Sequence, residues 1–279
     1  MNIVCFGAHP DDVEFYAGGT VLQWVDAGFR VLAVSLTNGD IGHMEQSGGA
    51  LAQRRRAETD AAAQLGGYES LVLDHHDGEL QPTLDLRREI VRITRRHNAD
   101  LVLTHRPWDY HPDHRYAAQA VQDAAFMVTV PFFCPDVPAL RQNPVFMYMM
   151  DAFQKPVPFR ADVAVDTGTV MARKWALLDA MPSQVYEWLP WLEHKRESVP
   201  VDPSQRRQWL EQHWDPWFRA VAPRAQAALS AGYGPAHAQE AEYVEMFEVC
   251  EYGRRPGAAE LGALFPFVPR FGSEDVLEV

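Results

Sequence analysis

Cysteine is scarce in this chain: three occur in 279 residues, at Cys5, Cys134 and Cys250, far apart and without metal-ligand spacing. An odd, scattered set excludes a disulfide framework and a zinc knuckle and points to a reducing compartment. Positive charge is also short, with 25 Lys and Arg against 38 Asp and Glu for a net charge of −13. That argues against a nucleic-acid partner, because a protein displaces phosphate counterions only with a basic face. The one dense basic run, Arg54-Arg55-Arg56, suits a solvated helix face equally well. No stretch reaches the roughly 18 uncharged apolar residues of a membrane span, and MNIVCFGAHP has neither a basic nor a long apolar leader region. The expectation is a cytoplasmic protein acting on a neutral or cationic small molecule, with no membrane or nucleic-acid partner. Repeats and low-complexity tracts are missing, and no G-x-G-x-x-G follows the first apolar run, which removes the dinucleotide fingerprint.

What is present is an ordinary globular composition, 47% hydrophobic and 23% charged, on a chain long enough for a sizeable core. Residues 2–8 read as a buried strand, 12–27 as a helix closed by Gly28, and 30–36 as a second strand. The polar, Gly-rich TNGDIGHMEQSGGA is too long for a plain connection and is expected to rim a site. A helix over 50–65, a strand over 71–74, a helix over 84–97 and a strand over 100–104 continue the alternation to residue 129. That order predicts an α/β protein with a mostly parallel sheet flanked by helices. Shorter strands are expected at PVFMYMM and ADVAVD, a helix over 169–180 and a late strand in 243–252. The segment rich in Trp188, Trp191, Trp209, Trp214 and Trp217 reads as a helical C-terminal cap. Its tryptophans serve packing, an oligomer interface or stacking on a sugar. The expected division is a catalytic region over 1–180 and a cap, late strand and tail over 181–279, integrated into one domain.

Two polar clusters follow apolar strands in the same manner. The run ending at Gly7 breaks into His9, Pro10, Asp11 and Asp12, and LVLTH is followed by HPDH, His111 to His114. Catalytic zinc takes three protein ligands from His and carboxylate and leaves one position to water. Loops at the carboxyl ends of parallel strands can supply such a set across a crevice. Pro10 makes the first turn rigid, and His9, Asp11 and Asp12 crowd too closely to bind one ion together. His9 and Asp12 are therefore read as ligands and Asp11 as the general base, although the residues alone leave the opposite use of the aspartates open. In the second loop, His114 is read as a ligand, and His111, held protonated by Asp113, as the group facing a developing oxyanion. His43, His75, His76 and His105 have no partner at ligand spacing and are read as surface or supporting residues.

The segments AHPDDVE, TNGD, QRRRAE with LGG after it, THRPWDYHPDH, VAVDTG, PSQVYEW and YVEMFEVCEYGRR together resemble the LmbE-like (PIG-L) N-deacetylase superfamily. The resemblance implies a Rossmann-like domain holding one Zn2+ on His9, Asp12 and His114, with Asp11 as base and His111 as oxyanion partner. It also settles which aspartate does which job. The reaction it implies is hydrolysis of the acetamide of an N-acetylglucosamine-type sugar or conjugate. Arg55 and Asp77 are similar to family substrate contacts. The chain departs from the pattern at Met181, where many relatives carry His, and in its Trp-rich 185–220 segment. The His and carboxylate ligands would also accept other divalent transition metals. The alternatives are a metal-dependent amidase for another C–N bond and a silent sugar- or metabolite-binding protein.

Overall fold

The computed structural model describes residues 1–270; the end of the expected tail, 271–279, lies outside the described residues. Five strands run parallel: β1 (Asn2–Gly7), β2 (Arg30–Thr37), β3 (Glu69–His75), β4 (Leu101–Thr104) and β5 (Val145–Met149). β6 (Val163–Asp166) and β7 (Val244–Cys250) complete the sheet, with β7 antiparallel to both β5 and β6. The strand order is β3-β2-β1-β4-β5-β7-β6. The late strand thus lies inside the sheet between β5 and β6, so the C-terminal third of the chain is part of the platform as well as its cover.

The central strands β1, β4 and β5 are almost wholly apolar because both their faces are covered, as a parallel sheet requires, while the edge strand β3 is half-exposed. On one face α1 (Asp12–Asp26), α2 (Gly48–Gly66) and α5 (Met171–Asp179) bury Ile3, Cys5, Trp24, Leu103 and Met147. On the other, α3 (Leu84–His97) and α4 (Pro112–Met127) close over Val4, Phe6, Ile90, Val102 and Val121. The α3 ends follow local chemistry: Thr83 Oγ1 accepts from Leu86 N at the start, and Asn98 adopts the left-handed conformation after His97. Cys5, Cys134 and Cys250 are buried and free. Among the described residues, no helix is long and apolar enough to cross a membrane.

A cap follows α5: a π-helical turn at Ser183–Trp188, a short α6 (Leu189–Leu192) and α7 (Pro203–Arg219). It packs Val185, Leu210, Trp214 and Phe218 onto Phe15 of α1 and Trp175 of α5. The order of the parallel strands reverses between β1 and β4, and the crevice beyond their carboxyl ends is where such sheets bind ligands. The two polar clusters leave those two strand ends.

Candidate metal centre and catalytic pocket

The turn after β1 is folded around Asp12. Asp12 Oδ2 accepts from Ala8 N at 2.8 Å and His9 N at 2.7 Å, which draws the first turn of α1 back onto the strand end. Gly7 permits the closeness, since a Cβ there would sit 2.8 Å from Asp12 Cβ. The second loop returns His114 from the first turn of α4. His9 Nδ1 lies 3.1 Å from His114 Nε2, His114 Nε2 lies 3.3 Å from Asp12 Oδ1, and His9 Nδ1 lies 3.6 Å from Asp12 Oδ2. Four-coordinate zinc with bonds of about 2.0–2.2 Å spaces its ligand atoms roughly 3.3–3.6 Å apart; these distances come near that spacing, with Asp12 meeting His114 through Oδ1 and His9 through Oδ2. Among the described residues, the groups whose donor atoms all lie within 4.8 Å of one another are His9–His111–His114, Asp12–His105–His114 and His9–Asp77–Asp113; His9, Asp12 and His114 each belong to such a group, with His114 shared between two of them.

Supporting contacts orient the donors. Asp109 Oδ2 lies 3.2 Å from His114 Nδ1, the carboxylate–imidazole arrangement that fixes a ligating ring. His105, 4% exposed, places Nε2 3.0 Å from Asp12 Oδ2 and stacks on His114 with ring centroids 4.1 Å apart. Sequence reasoning missed Asp109 and left His105 as a supporting or surface residue; beside the centre His105 is buried and Asp109 half-buried. Burial pushes His114 downward, but Asp12 and Asp109 outweigh it and raise it to about 9.

The two aspartates are driven apart. Burial raises Asp11, opposed by Arg55 and reinforced by Asp12. Burial would raise Asp12 as well, but His114 and His105 hold it well below the carboxylate range. A permanently ionised Asp12 suits a ligand, and a carboxylate shifted upward suits a proton acceptor.

His111 differs from expectation. It caps α4, its Nδ1 accepting from Asp113 N at 3.2 Å, with Pro112 in the first helical position. An acceptor Nδ1 is unprotonated, so the ring is neutral with its proton on Nε2, the edge left for the cavity that His111 lines. Burial, then His9 and His114, shift its pKa downward. The Asp113 carboxylate does not hold His111 protonated; fully buried, it accepts from Gly78 N at 2.6 Å and Leu80 N at 3.2 Å. Asp113 therefore clamps the loop after β3, and this brings Asp77 Oδ1 to 3.1 Å from His9 Nε2.

Arg55 is 2% exposed and directed into the site rather than toward Glu58, which pairs with Arg54 at 3.0 Å. Its Nη2 donates to Asp11 Oδ1 at 3.2 Å and its Nη1 to Gly39 O at 3.2 Å, with Asp77 Oδ2 at 3.7 Å. The Gly-rich loop crosses directly over the guanidinium. Gly39 has φ +69°, and a Cβ on it would lie 2.4 Å from Arg55 Nη1. Gln184, not singled out from sequence, lines the same cavity and anchors the cap to that loop through Nε2 to Gly42 O at 3.2 Å. Met181 is fully buried in the core beneath α5.

The cavity has a volume of about 650 Å³. Its lining combines polar His9, Asp11, Asp12, His111 and His114 with apolar Phe15, Trp188, Leu192, Trp214 and Trp217. Of the purposes weighed from sequence, the tryptophans thus serve helix packing, and Trp188, Trp214 and Trp217 also line the cavity.

Residues 4–125 match the family described as PIG-L: GlcNAc-PI de-N-acetylase. A diacetylchitobiose deacetylase of Thermococcus kodakarensis is 36% identical over 138 residues, 47% of this chain and 52% of that protein. The chain therefore aligns with about half the length of that relative. Two solved structures share the fold. An N,N'-diacetylchitobiose deacetylase of Pyrococcus horikoshii covers 90% of this chain and 84% of its own at TM-score 0.66 and 23% identity. A 4-carboxy-2-hydroxymuconate hydratase of Pseudomonas putida covers 92% and 98% at TM-score 0.71 and 21% identity.

Proposed function

From a chain that carries a PIG-L (LmbE-like) deacetylase family domain, we propose a metal-dependent N-deacylase that hydrolyses the acetamide of an amino sugar or amino-sugar conjugate. The observation behind this reading is the convergence of His9, Asp12 and His114 at 3.1–3.6 Å, with Asp11 and the Nε2 edge of His111 facing the same cavity. A divalent ion held by those three, zinc in the first instance, supplies a Lewis acid for the carbonyl and acidifies water.

The chain's own groups divide the remaining work. Asp11 takes the proton from the attacking water and returns it to the departing amine, and Arg55 keeps its carboxylate aimed. His111 Nε2–H donates to the carbonyl oxygen as that atom gains negative charge; a neutral imidazole suffices for that. Asp77 accepts from substrate hydroxyls at the edge of the same pocket. Asp113 acts through position, holding the loop that carries Asp77.

The likeness to a hydratase raises a second reading, addition of water to a carboxylated unsaturated acid. The lining speaks against it. Arg55 is the one Lys or Arg side chain among the described residues that line the cavity, and it is already engaged by Asp11 and Asp77. Beside the proposed ion, three carboxylates and no unengaged Lys or Arg offer little to hold the further carboxylates of such an acid.

Amine release from N-acetylglucosamine, N,N'-diacetylchitobiose and glucosaminide conjugates tests the reading. Release should stop after chelation and return with zinc. Hydration of a carboxylated diene without release from any amide would refute it.

A further inference from the structure

We propose that Arg106, which does not line the cavity, is a positioning residue: it fixes the loop between β4 and α4 from behind and so sets the geometry of the metal centre. The inference rests on the reading of His9, Asp12 and His114 as ligands of one ion. It adds a residue that touches neither that ion nor the substrate.

The loop from His105 to His111 carries three groups that act at the centre. His105 Nε2 lies 3.0 Å from Asp12 Oδ2, Asp109 Oδ2 lies 3.2 Å from His114 Nδ1, and His111 lines the cavity. Among the described residues, 106–110 make no backbone–backbone hydrogen bond. Neither a strand ladder nor a helix dictates their course, so side chains have to. At the far end Asp109 Oδ1 accepts from His111 N at 2.9 Å, and Arg115 Nη1 donates to Asp109 O at 2.6 Å and Tyr110 O at 3.1 Å. At the near end the anchor is Arg106.

Arg106 is 2% exposed. Its Nε lies 3.2 Å from Asp151 Oδ2, just beyond β5; its Nη1 donates to Glu248 Oε2 on β7 at 3.2 Å, and its Nη2 donates to Val157 O. The guanidinium carbon is 5.1 Å from the ring centroid of Trp108 and 5.6 Å from that of Phe159. A planar fork meets several acceptors at once and still lies against aromatic rings, whereas an ammonium supplies the charge without that shape. Asp151, Val157 and Glu248 all belong to β7 and the segment after β5, which carry none of the three ligands. The contact therefore ties the loop to a fixed frame outside the centre. His105 is the adjacent residue, so one peptide joins a side chain held by that frame to a side chain held against Asp12. Displacing Arg106 displaces His105, and groups one step removed from a metal set how well its ligands are aimed.

The test uses Arg106→Lys, which keeps the charge and loses the fork, and Asp151→Asn, which is nearly isosteric and weakens the same anchor from its other side. Metal affinity is read by competition with a chromogenic chelator, folding by urea unfolding, and kcat and KM on N,N'-diacetylchitobiose. In Arg106→Lys metal affinity should fall about tenfold and kcat by at least as much. KM should stay within about twofold, because no substrate contact is lost. Asp151→Asn should move metal affinity and kcat in the same direction by less. A lowered urea midpoint with metal affinity and kcat within about twofold of wild type in both variants would overturn the proposal, since Arg106 would then support the fold and not the centre. A raised KM at unchanged kcat would overturn it too, because that pattern marks a substrate contact. If Arg106→Lys does not fold, Asp151→Asn decides by the same readouts. The chelator measurement needs no turnover: lowered metal affinity in the variants of a protein that hydrolyses no amide would sink the N-deacylase reading and leave the role of Arg106 standing.

Discussion

The Lys174 ammonium lies 2.7 Å from Glu245 Oε1, and both side chains are 1% exposed. Glu245, on β7, also accepts from Gly19 N at 2.8 Å, Thr20 N at 2.7 Å and Thr20 Oγ1 at 2.6 Å, while Lys174 donates to Phe15 O at 2.8 Å. The pair thus ties α5 and β7 to α1, the helix that begins at Asp12 and supplies Phe15 and Tyr16 to the pocket. Gly19 leaves the room: a Cβ there would lie 2.6 Å from Thr167 Cγ2 and 3.1 Å from Glu245 Oε1. Removing one member of a buried pair strands the other charge, so Lys174→Met should cost about 3–5 kcal/mol in urea unfolding. A loss under about 1 kcal/mol would mean the pair is not holding the helix.

Asp11 is the predicted base and is kept out of the ligand set. Asp11→Asn should lower kcat by about a hundred- to ten-thousandfold while leaving the metal content of the purified protein unchanged by elemental analysis. Asp12→Asn should instead lose metal. Equal metal loss in both variants would contradict the division of labour between the neighbours.

His105 acts on the centre through Asp12. With its Nε2 at 3.0 Å from Asp12 Oδ2, His105→Phe keeps the stacking on His114 and removes the polar contact. Metal affinity, measured by competition with a chromogenic chelator, should fall about 10- to 100-fold. Unchanged affinity would reduce His105 to packing.

The cap is latched through Glu187, which accepts from Arg54 Nη1 at 2.7 Å and Nη2 at 2.8 Å and lies 2.8 Å from His43 Nε2. Burial would raise its pKa, but Arg54 and His43 prevail and hold it below 4.5. A depressed carboxylate contributes stability that is complete above its unfolded value and lost as pH falls through the folded one. Thermal melting should therefore drop more steeply below about pH 4.5 in the wild type than in Glu187→Gln, which has no such carboxylate to protonate. Parallel curves would show that the latch adds nothing.

Much of the platform could be read from periodicity, because a parallel sheet covered on both faces forces continuous apolar strands separated by amphipathic helices. The helix expected over 84–97 runs from Leu84 to His97, and the helix expected over 50–65 runs from Gly48 to Gly66. The late strand was visible, but its place between β5 and β6 was not, since the pairing of Phe146 with Cys250 is a contact no local pattern encodes. For the same reason Asp109 escaped notice and His105 was left without a partner: each lies in the loop after β4, and its meaning comes from Asp12 or from the tilt of His114. His111 and Asp113 were visible as a pair, and their adjacency in sequence suggested the wrong partnership. The helix start turned the Asp113 carboxylate toward Gly78 and Leu80 and left its backbone N–H for the imidazole.

The amino-acid order by itself determined the alternation of strands and helices and the polar residues that end β1 and β4, because burial periodicity and turn chemistry act within a few neighbours. Tertiary structure alone decided which nitrogen of His111 carries the proton, which arginine meets Asp11, and that Trp188, Trp214 and Trp217 line the cavity. Those outcomes depend on distances between segments far apart in the chain, and such distances exist only once the sheet has assembled.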